Sequence, residues 1–185
     1  MSLWQKFNRI VLKRIYTNDT VILLEKKKET KFDSTLLIKK ATTDNIEDAR
    51  NFQSDQYINQ FKGFLRHGDE GYLAYLNNKC IHRSWVVVKP GKIDLHKFCS
   101  LQLKQGEAFV QYCETAKEAR GRNVFTDVLK KICEDFRGAR LLTAVFSDNT
   151  PSLKSFAKAG FLEVERYHIS IIFGVKKITK TVSGQ

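Results

Sequence analysis

The last third of the chain alternates strand and helix patterns in a fixed order, and that order restricts the fold more than any other feature. Glu107–Glu114 reads as a strand, after which Val124, Phe125, Val128, Leu129, Ile132, Cys133 and Phe136 recur at the spacing of one helical face. Gly138 closes that helix. Leu141–Phe146 is an apolar strand of the buried type, and Pro151–Ala159 is a short helix with Pro in its first turn and Gly160 at its end. Phe161–Phe173 supplies a final strand or bent pair. Strand, helix, strand, helix, strand implies an α/β arrangement with helices packed on a sheet.

Upstream, Thr35–Lys39 is a short strand, and Thr43-Asp44-Asn45-Ile46-Glu47-Asp48 has the form of a capped helix start. Helical character continues, with a break, to about His67. Gly71–Leu76 and Cys80–Val88 are two strands joined by Asn77-Asn78, residues that tolerate the positive φ of a tight hairpin turn. Lys89-Pro90-Gly91-Lys92 ends this pair, and the stretch to Gln105 reads as a long connection with no assigned form. At the N-terminus, Leu3 to Tyr16 fits a basic amphipathic helix, followed by a turn at Thr17–Thr20 and a strand at Val21–Leu24. A hairpin of Ile10–Tyr16 with Val21–Lys26 is the alternative. This division gives an N-terminal appendage (1–34), one domain (35–175) and a basic C-terminal tail (176–185).

With 185 residues the chain has the length for one sizeable core, and thirteen Phe with two Trp exclude a disordered chain. No run approaches the ~18 apolar residues of a membrane span, and Ile10-Val11-Leu12 is followed at once by Lys13 and Arg14, so neither a span nor a signal peptide is expected. Cys80, Cys99, Cys113 and Cys133 form no CxxC pair, which argues against zinc knuckles and points to reduced thiols in a cytoplasmic protein. The net charge of +12 predicts attraction to polyanions. Its spread along the whole chain, without a helix-turn-helix or RNA-binding signature, disfavours nucleic acid as the main partner.

Two segments carry candidate chemistry. The strand from Glu107 runs through a bend into Arg120-Gly121-Arg122-Asn123-Val124-Phe125 at the head of a helix, where unpaired N–H groups and partial positive charge favour an anion and Gly lets the backbone approach it. The second is Asn149-Thr150-Pro151-Ser152-Leu153-Lys154-Ser155-Phe156-Ala157-Lys158-Ala159-Gly160-Phe161, which also reads as a well-capped helix with Asn149 as its cap.

Together these segments resemble the GNAT superfamily of acyl-CoA N-acyltransferases, in which an Arg/Gln-x-x-Gly-x-Gly/Ala turn holds the cofactor pyrophosphate and an Asn-x-x-(Ala/Ser)-x-x-x-(Tyr/Phe)-x-x-x-Gly-Phe segment follows. The second motif matches at Asn149, Ser152, Phe156, Gly160 and Phe161. The first matches in part: Arg120 and Gly121 fit, Asn123 stands where Gly is usual, and Phe125 where a small residue is usual. Asn visits left-handed backbone conformations readily, so the turn shape is preserved. Phe125 points either into the diphosphate channel, blocking it, or under the helix as core.

The resemblance, which spans about Thr35 to Phe173, implies a central, mostly antiparallel twisted sheet with a V-shaped splay between the fourth and fifth strands. Acetyl-CoA would be the cosubstrate and a small-molecule or protein amine the acceptor. Its acyl-binding backbone would lie at Gln111 and Cys113, and its cofactor contacts at Arg120, Gly121, Arg122, Asn123, Val124, Phe125, Asn149 and Phe156. Direct attack by the amine needs a group to take its proton. Glu107, thirteen residues before Arg120, stands where some family members place a catalytic Glu, and His82 is the second candidate base. Phe156 occupies the position of the family's thiolate-protonating Tyr, leaving Tyr112 or Tyr167 as substitutes. A non-catalytic CoA- or partner-binding module is the competing reading.

Overall fold

A computed structural model describes residues 16–183. In chain order the strands are β1 (Tyr16–Lys26), β2 (Leu37–Lys40), β3 (Glu70–Leu76), β4 (Lys79–Val87), β5 (Gly91–His96), β6 (Cys99–Leu103), β7 (Glu107–Thr115), β8 (Arg140–Phe146), β9 (Phe161–Ile172) and β10 (Val175–Val182). The helices are α1 (Asp55–His67), α2 (Val124–Asp135) and α3 (Thr150–Lys158), with short 3-10 turns at Ile46–Asn51 and Lys117–Ala119. Eight strands form one sheet in the order β10-β9-β1-β8-β7-β4-β3-β2, and β5 pairs with β6 alone. Every neighbouring pair in the large sheet is antiparallel except β7 with β8. The fold is thus the mixed α/β class expected, with β7 and β8 in the places of the fourth and fifth strands.

Two of the three helices, α2 and α3, cover one face of this sheet. The stripe Val128, Leu129, Ile132 and Cys133 of α2, with Phe156 of α3, packs against Ile22, Ile81, Val110, Leu141 and Val145. On the opposite face, the β5–β6 hairpin lays Ile93, Leu95 and Leu103 over Val21, Leu23, Phe109 and Leu142. Beside it, α1 sets Ile58 and Phe61 against Leu73 and Trp85. Sheet residues alternate between the two sides, as the two-residue strand period requires. The large aromatic content is spent here: Phe61 and Trp85 stack at 5.5 Å, and Phe156 and Phe161 meet edge to face at 5.0 Å.

Three expectations at the ends and middle of the chain are corrected. Residues 16–26 are one strand threaded between β8 and β9, with Val21–Leu24 buried on both faces, so the segment is part of the sheet and no turn forms at Thr17–Thr20. The four-residue apolar run is the signature of a doubly covered strand. The amphipathic helix and the Ile10–Tyr16 half of the alternative hairpin fall mainly outside the described residues. Val175–Val182 is the edge strand of the sheet rather than a tail, exposed at every residue but hydrogen-bonded along β9. The stretch after Lys89 is the β5–β6 hairpin. Asn77 and Asn78 adopt φ of 49° and 62° as the β3–β4 turn, and the helix at Thr43 begins as a 3-10 turn before α1.

Gly160 shows why the Gly-Phe end of α3 is specified. Its φ is +87°, its carbonyl accepts from the N–H groups of Lys27 and Lys28 at 3.0 Å, and a Cβ there would lie 2.3 Å from the Lys28 carbonyl oxygen. The chain after β1 therefore crosses the end of α3 in contact with bare backbone.

Candidate functional site

β7 and β8 start side by side and then part. Parallel pairing runs from Glu107 opposite Arg140 to Val110 opposite Thr143. Beyond that rung β7 follows β4 to Thr115, while β8 follows β1 to Phe146. Thr143 Oγ1 donates to the Val110 carbonyl at 2.9 Å, so a side chain satisfies the last paired position. Two residues on, Tyr112 has φ of +48° and the β4–β7 register shifts between Arg83 and Trp85, a bulge that bends β7 away.

Arg83 pins that bulge. It is 3% exposed and donates to the Tyr112 carbonyl, to Gln53 Oε1 at 3.0 Å and to Glu114 Oε2 at 2.9 Å, with its guanidinium 4.8 Å from the centre of the Phe61 ring. Burial lowers its pKa, and the neighbouring Glu114 carboxylate opposes that shift.

Two cavities meet at the fork. The larger, about 560 Å³, lies at the head of α2. The smaller, about 290 Å³, occupies the fork between Val110–Cys113 and Thr143–Phe146. Cys113, Phe125, Asn149 and Ser152 line both. Phe125 is therefore part of the wall they share: its ring stacks on His82 at 5.4 Å and meets Phe156 edge to face at 5.2 Å. The two orientations considered from sequence merge, since the ring packs under the helix start and also borders the channel.

The bend before α2 has the geometry of an anion cradle. Gly121 and Asn123 both take left-handed conformations, φ +79° and +59°. Asn123 does not cap α2 with its side chain and instead accepts from Lys158 Nζ at 3.0 Å. The first-turn residues Val124, Phe125 and Thr126 line the cavity, and their N–H groups carry the helix's partial positive charge. Arg120, tied by Nε to the Thr115 carbonyl at 3.1 Å, and Lys158 line the same space.

The fork brings together most of the residues singled out from sequence. Gln111, Cys113, Asn149 and Phe156 line the smaller cavity, and Arg120, Gly121, Asn123, Val124 and Phe125 the larger. Asn149 Oδ1 accepts from the Ser152 N–H at 3.3 Å, so it caps α3 as well as bordering both spaces. Burial pushes the Cys113 thiol up to about 11, against a hydrogen bond with Ser84. Arg122 is exposed and lines neither cavity, because the two left-handed residues flanking it turn the chain there.

Both candidate bases are held by hydrogen bonds within the protein. Glu107 stands where β7 and β8 are still paired and lines neither cavity; its carboxylate accepts from Arg140 Nη1 at 2.7 Å and the Lys104 N–H at 2.9 Å. Burial works to raise its pKa, but these hydrogen bonds outweigh it and hold the carboxyl below the usual range. Arg140 also binds Glu25 at 2.6 Å, making a structural carboxylate–guanidinium–carboxylate bridge. His82 does line the larger cavity, fully buried, with Nδ1 2.7 Å from Thr115 Oγ1 and Nε2 2.8 Å from Ser84 Oγ. Burial, aided by Arg83, brings its pKa down to about 3, so the ring is neutral and a poor proton acceptor.

Tyr112 lines the smaller cavity, whereas Tyr167 is buried in the cluster under the β5–β6 hairpin with its hydroxyl on Glu165 and lines neither cavity. Asp94, Phe146 and Lys158 were not foreseen. For Asp94 the signal was present: Lys92-Ile93-Asp94-Leu95-His96 alternates polar and apolar, the mark of a half-buried strand.

No family model and no curated protein matches the sequence. Solved structures do match in fold. An acetyltransferase of the GNAT family from Colwellia psychrerythraea superposes with a TM-score of 0.62 at 14% identity, over 91% of this chain and 61% of its own. A putative GNAT-family acetyltransferase from Novosphingobium aromaticivorans gives 0.59 at 12% identity, over 82% of this chain and 64% of its own, so this chain spans less than two thirds of either relative. The aminoglycoside N-acetyltransferase AAC(6')-Iy, solved with a bisubstrate analogue containing CoA, gives 0.54 at 15% identity over 70% of this chain and 92% of its own. With its parting central strands and its motif at Asn149–Phe161, this chain has the fold of the GNAT N-acyltransferases.

Proposed function

We propose that this chain is an acyl-CoA N-acyltransferase that takes acetyl-CoA as cosubstrate and acetylates an amine, in a cytoplasmic setting. The observation that carries the reading is the continuity of the α2 cradle with the fork between β7 and β8 through shared residues. The residues fit a CoA diphosphate. First-turn N–H groups of α2 not capped by the Asn123 side chain, two left-handed residues before them and the cations Arg120 and Lys158 converge on one space. No Cβ contact would crowd Gly121, so its positive φ, not packing, is what calls for glycine.

When bound, acetyl-CoA supplies an acyl group already activated as a thioester. The chain's own residues do the rest. Gln111 to Cys113, freed from β8, offer backbone groups on the open edge of β7, and Arg83 fixes their direction by holding the Tyr112 carbonyl. Tyr112 Oη accepts from Gln60 Nε2 at 2.8 Å and keeps its own proton to donate at the fork, the role that Phe156 cannot fill. His82, neutral and held at both nitrogens, fixes the ring of Phe125 rather than moving a proton.

A second reading, a CoA-binding module without turnover, is favoured by the hydrogen bonds that engage the Glu107 carboxylate and both ring nitrogens of His82. Isothermal titration with acetyl-CoA, paired with thiol release over a panel of amines, tests both. Saturable binding weakened about tenfold by Arg120→Ala, which is ~1.4 kcal/mol, and unchanged by Arg122→Ala supports the cradle. Binding without turnover on any amine selects the second reading, and no binding removes both.

A further inference from the structure

We propose that the fork between β7 and β8 is a recognition site for a primary ammonium carried on a small apolar or aromatic frame, with Tyr112 and Phe146 as its two lips and Asp94 as its counter-charge. The proposal deepens the acyltransferase reading and rests on it, because it takes the fork as the acceptor's side of the reaction.

Three observations converge on this chemistry. The first is composition: apolar and aromatic residues outnumber polar ones in the wall of the fork, and Asp94 is the only charged residue among the described residues that line it. An ammonium arriving there meets one carboxylate, which Lys92 already pairs from outside the wall.

The second is the exposure of two large rings. Tyr112 is 40% and Phe146 43% exposed, and they stand on opposite strands at the point where β7 and β8 have parted. Exposed rings flanking an opening are suited to a cation, which is drawn to the ring face, or to a flat apolar frame.

The third is that both rings are held from outside the sheet. Tyr112 packs 5.0 Å from Phe64 of α1 and accepts from Gln60 of the same helix at 2.8 Å. Phe146 meets His96 of the β5–β6 hairpin edge to face at 6.0 Å, and His96 Nε2 lies 3.2 Å from Asp19 of β1. The hairpin that steadies Phe146 is the one that brings Asp94 to the fork. Lips fixed before the ligand arrives lose little freedom on binding it.

Lys92 Nζ lies 3.1 Å from Asp94, with both side chains more than two thirds exposed. Water screens such a pair, so Lys92 holds the carboxylate weakly, and an ammonium at the fork competes for it under the same screening, with the two rings adding to its hold.

The test uses the intact chain, without CoA, and two probes that share a frame and differ in charge: phenethylammonium and 3-phenylpropionate, followed by saturation-transfer NMR and isothermal titration. The ammonium should saturate and bind about tenfold more tightly than the carboxylate. Asp94→Asn and Phe146→Ala should each weaken it about fivefold, while leaving affinity for CoA and the thermal midpoint unchanged, and Lys92→Ala should strengthen it. Equal binding of the two probes, or an Asp94→Asn variant that keeps the preference, overturns the proposal. The acyltransferase reading fails by a different sign: if CoA does not bind while the ammonium preference holds, the site stands and the transferase reading falls.

Discussion

Replacing Arg83 by Met tests how the fork is held open. Arg83 is 3% exposed and serves three acceptors on two segments: the Tyr112 carbonyl, Gln53 Oε1 and Glu114 Oε2. Methionine fills a similar volume but donates nothing. An acceptor left buried without a donor costs about 1–3 kcal/mol, and the Tyr112 carbonyl loses its Arg83 donor in this variant. Glu114 suffers less, because its side chain is 40% exposed and retains the Gln53 Nε2 contact at 3.1 Å. The sum is about 3 kcal/mol, the lower end for breaking one side of a buried ion pair. For a domain of this size each kcal/mol moves the thermal midpoint by about 2–4 °C, so Arg83→Met should melt about 6–12 °C below the native protein. Urea unfolding followed by tryptophan fluorescence gives the free energy, because Trp85 packs on the same Phe61 ring. Arg83→Lys, which keeps the charge, should recover part of the loss. A Met variant as stable as the native chain would refute the claim that Arg83 clamps the bulge.

The buried His82 predicts a pH dependence of stability. In the unfolded chain the imidazole takes up a proton near 6.5, whereas in the folded chain burial delays this to about 3. Stability is therefore complete above pH 6.5 and drains as the pH falls toward 3, at about 1.4 kcal/mol per pH unit. Between pH 6.5 and 5 the native protein should lose ~2 kcal/mol in urea unfolding, a loss absent from His82→Gln; equal slopes would show that the folded ring is protonated. The depressed carboxylates Glu25 and Glu107 act at lower pH, from their ordinary value of 4.5 downward, and leave this window clear. Glu107→Gln should lower the thermal midpoint through the loss of its Arg140 partnership and, under the proposed acyltransferase reading, leave the rate of thiol release within about twofold of native, since its carboxylate lines neither cavity. A rate loss of a hundredfold would return Glu107 to the chemistry.

Local patterns carried the middle and the end of the fold into the sequence. The stripe of α2, the Asn77-Asn78 turn and the Asn149–Phe161 segment each follow from period or from backbone tolerance, and each stands in the structure where it was expected. What escaped depends on long-range partners. The run Val21–Leu24 is the same on paper whether it belongs to an appendage or to a strand between β8 and β9, and only the two neighbours decide. Glu107 has the spacing of a family base, but its neighbour across the rung is Arg140, far along the chain, and that pairing commits the carboxylate. His82 shows the same effect through burial: nothing local reveals that both ring nitrogens and one ring face are occupied. The bulge at Tyr112 has no sequence signature, since a tyrosine with positive φ is held there by Arg83 of another strand.

The central claim is that the head of α2 binds the phosphates of CoA, and the backbone amides of that segment report on it directly. Titration of the isotopically labelled chain with CoA, followed by amide correlation NMR, should move the signals of Gly121 and of Asn123 to Thr126 most, with one saturation curve, and leave those near Glu107 in place. Saturable shifts confined to another part of the sheet, with these amides unmoved, would contradict it.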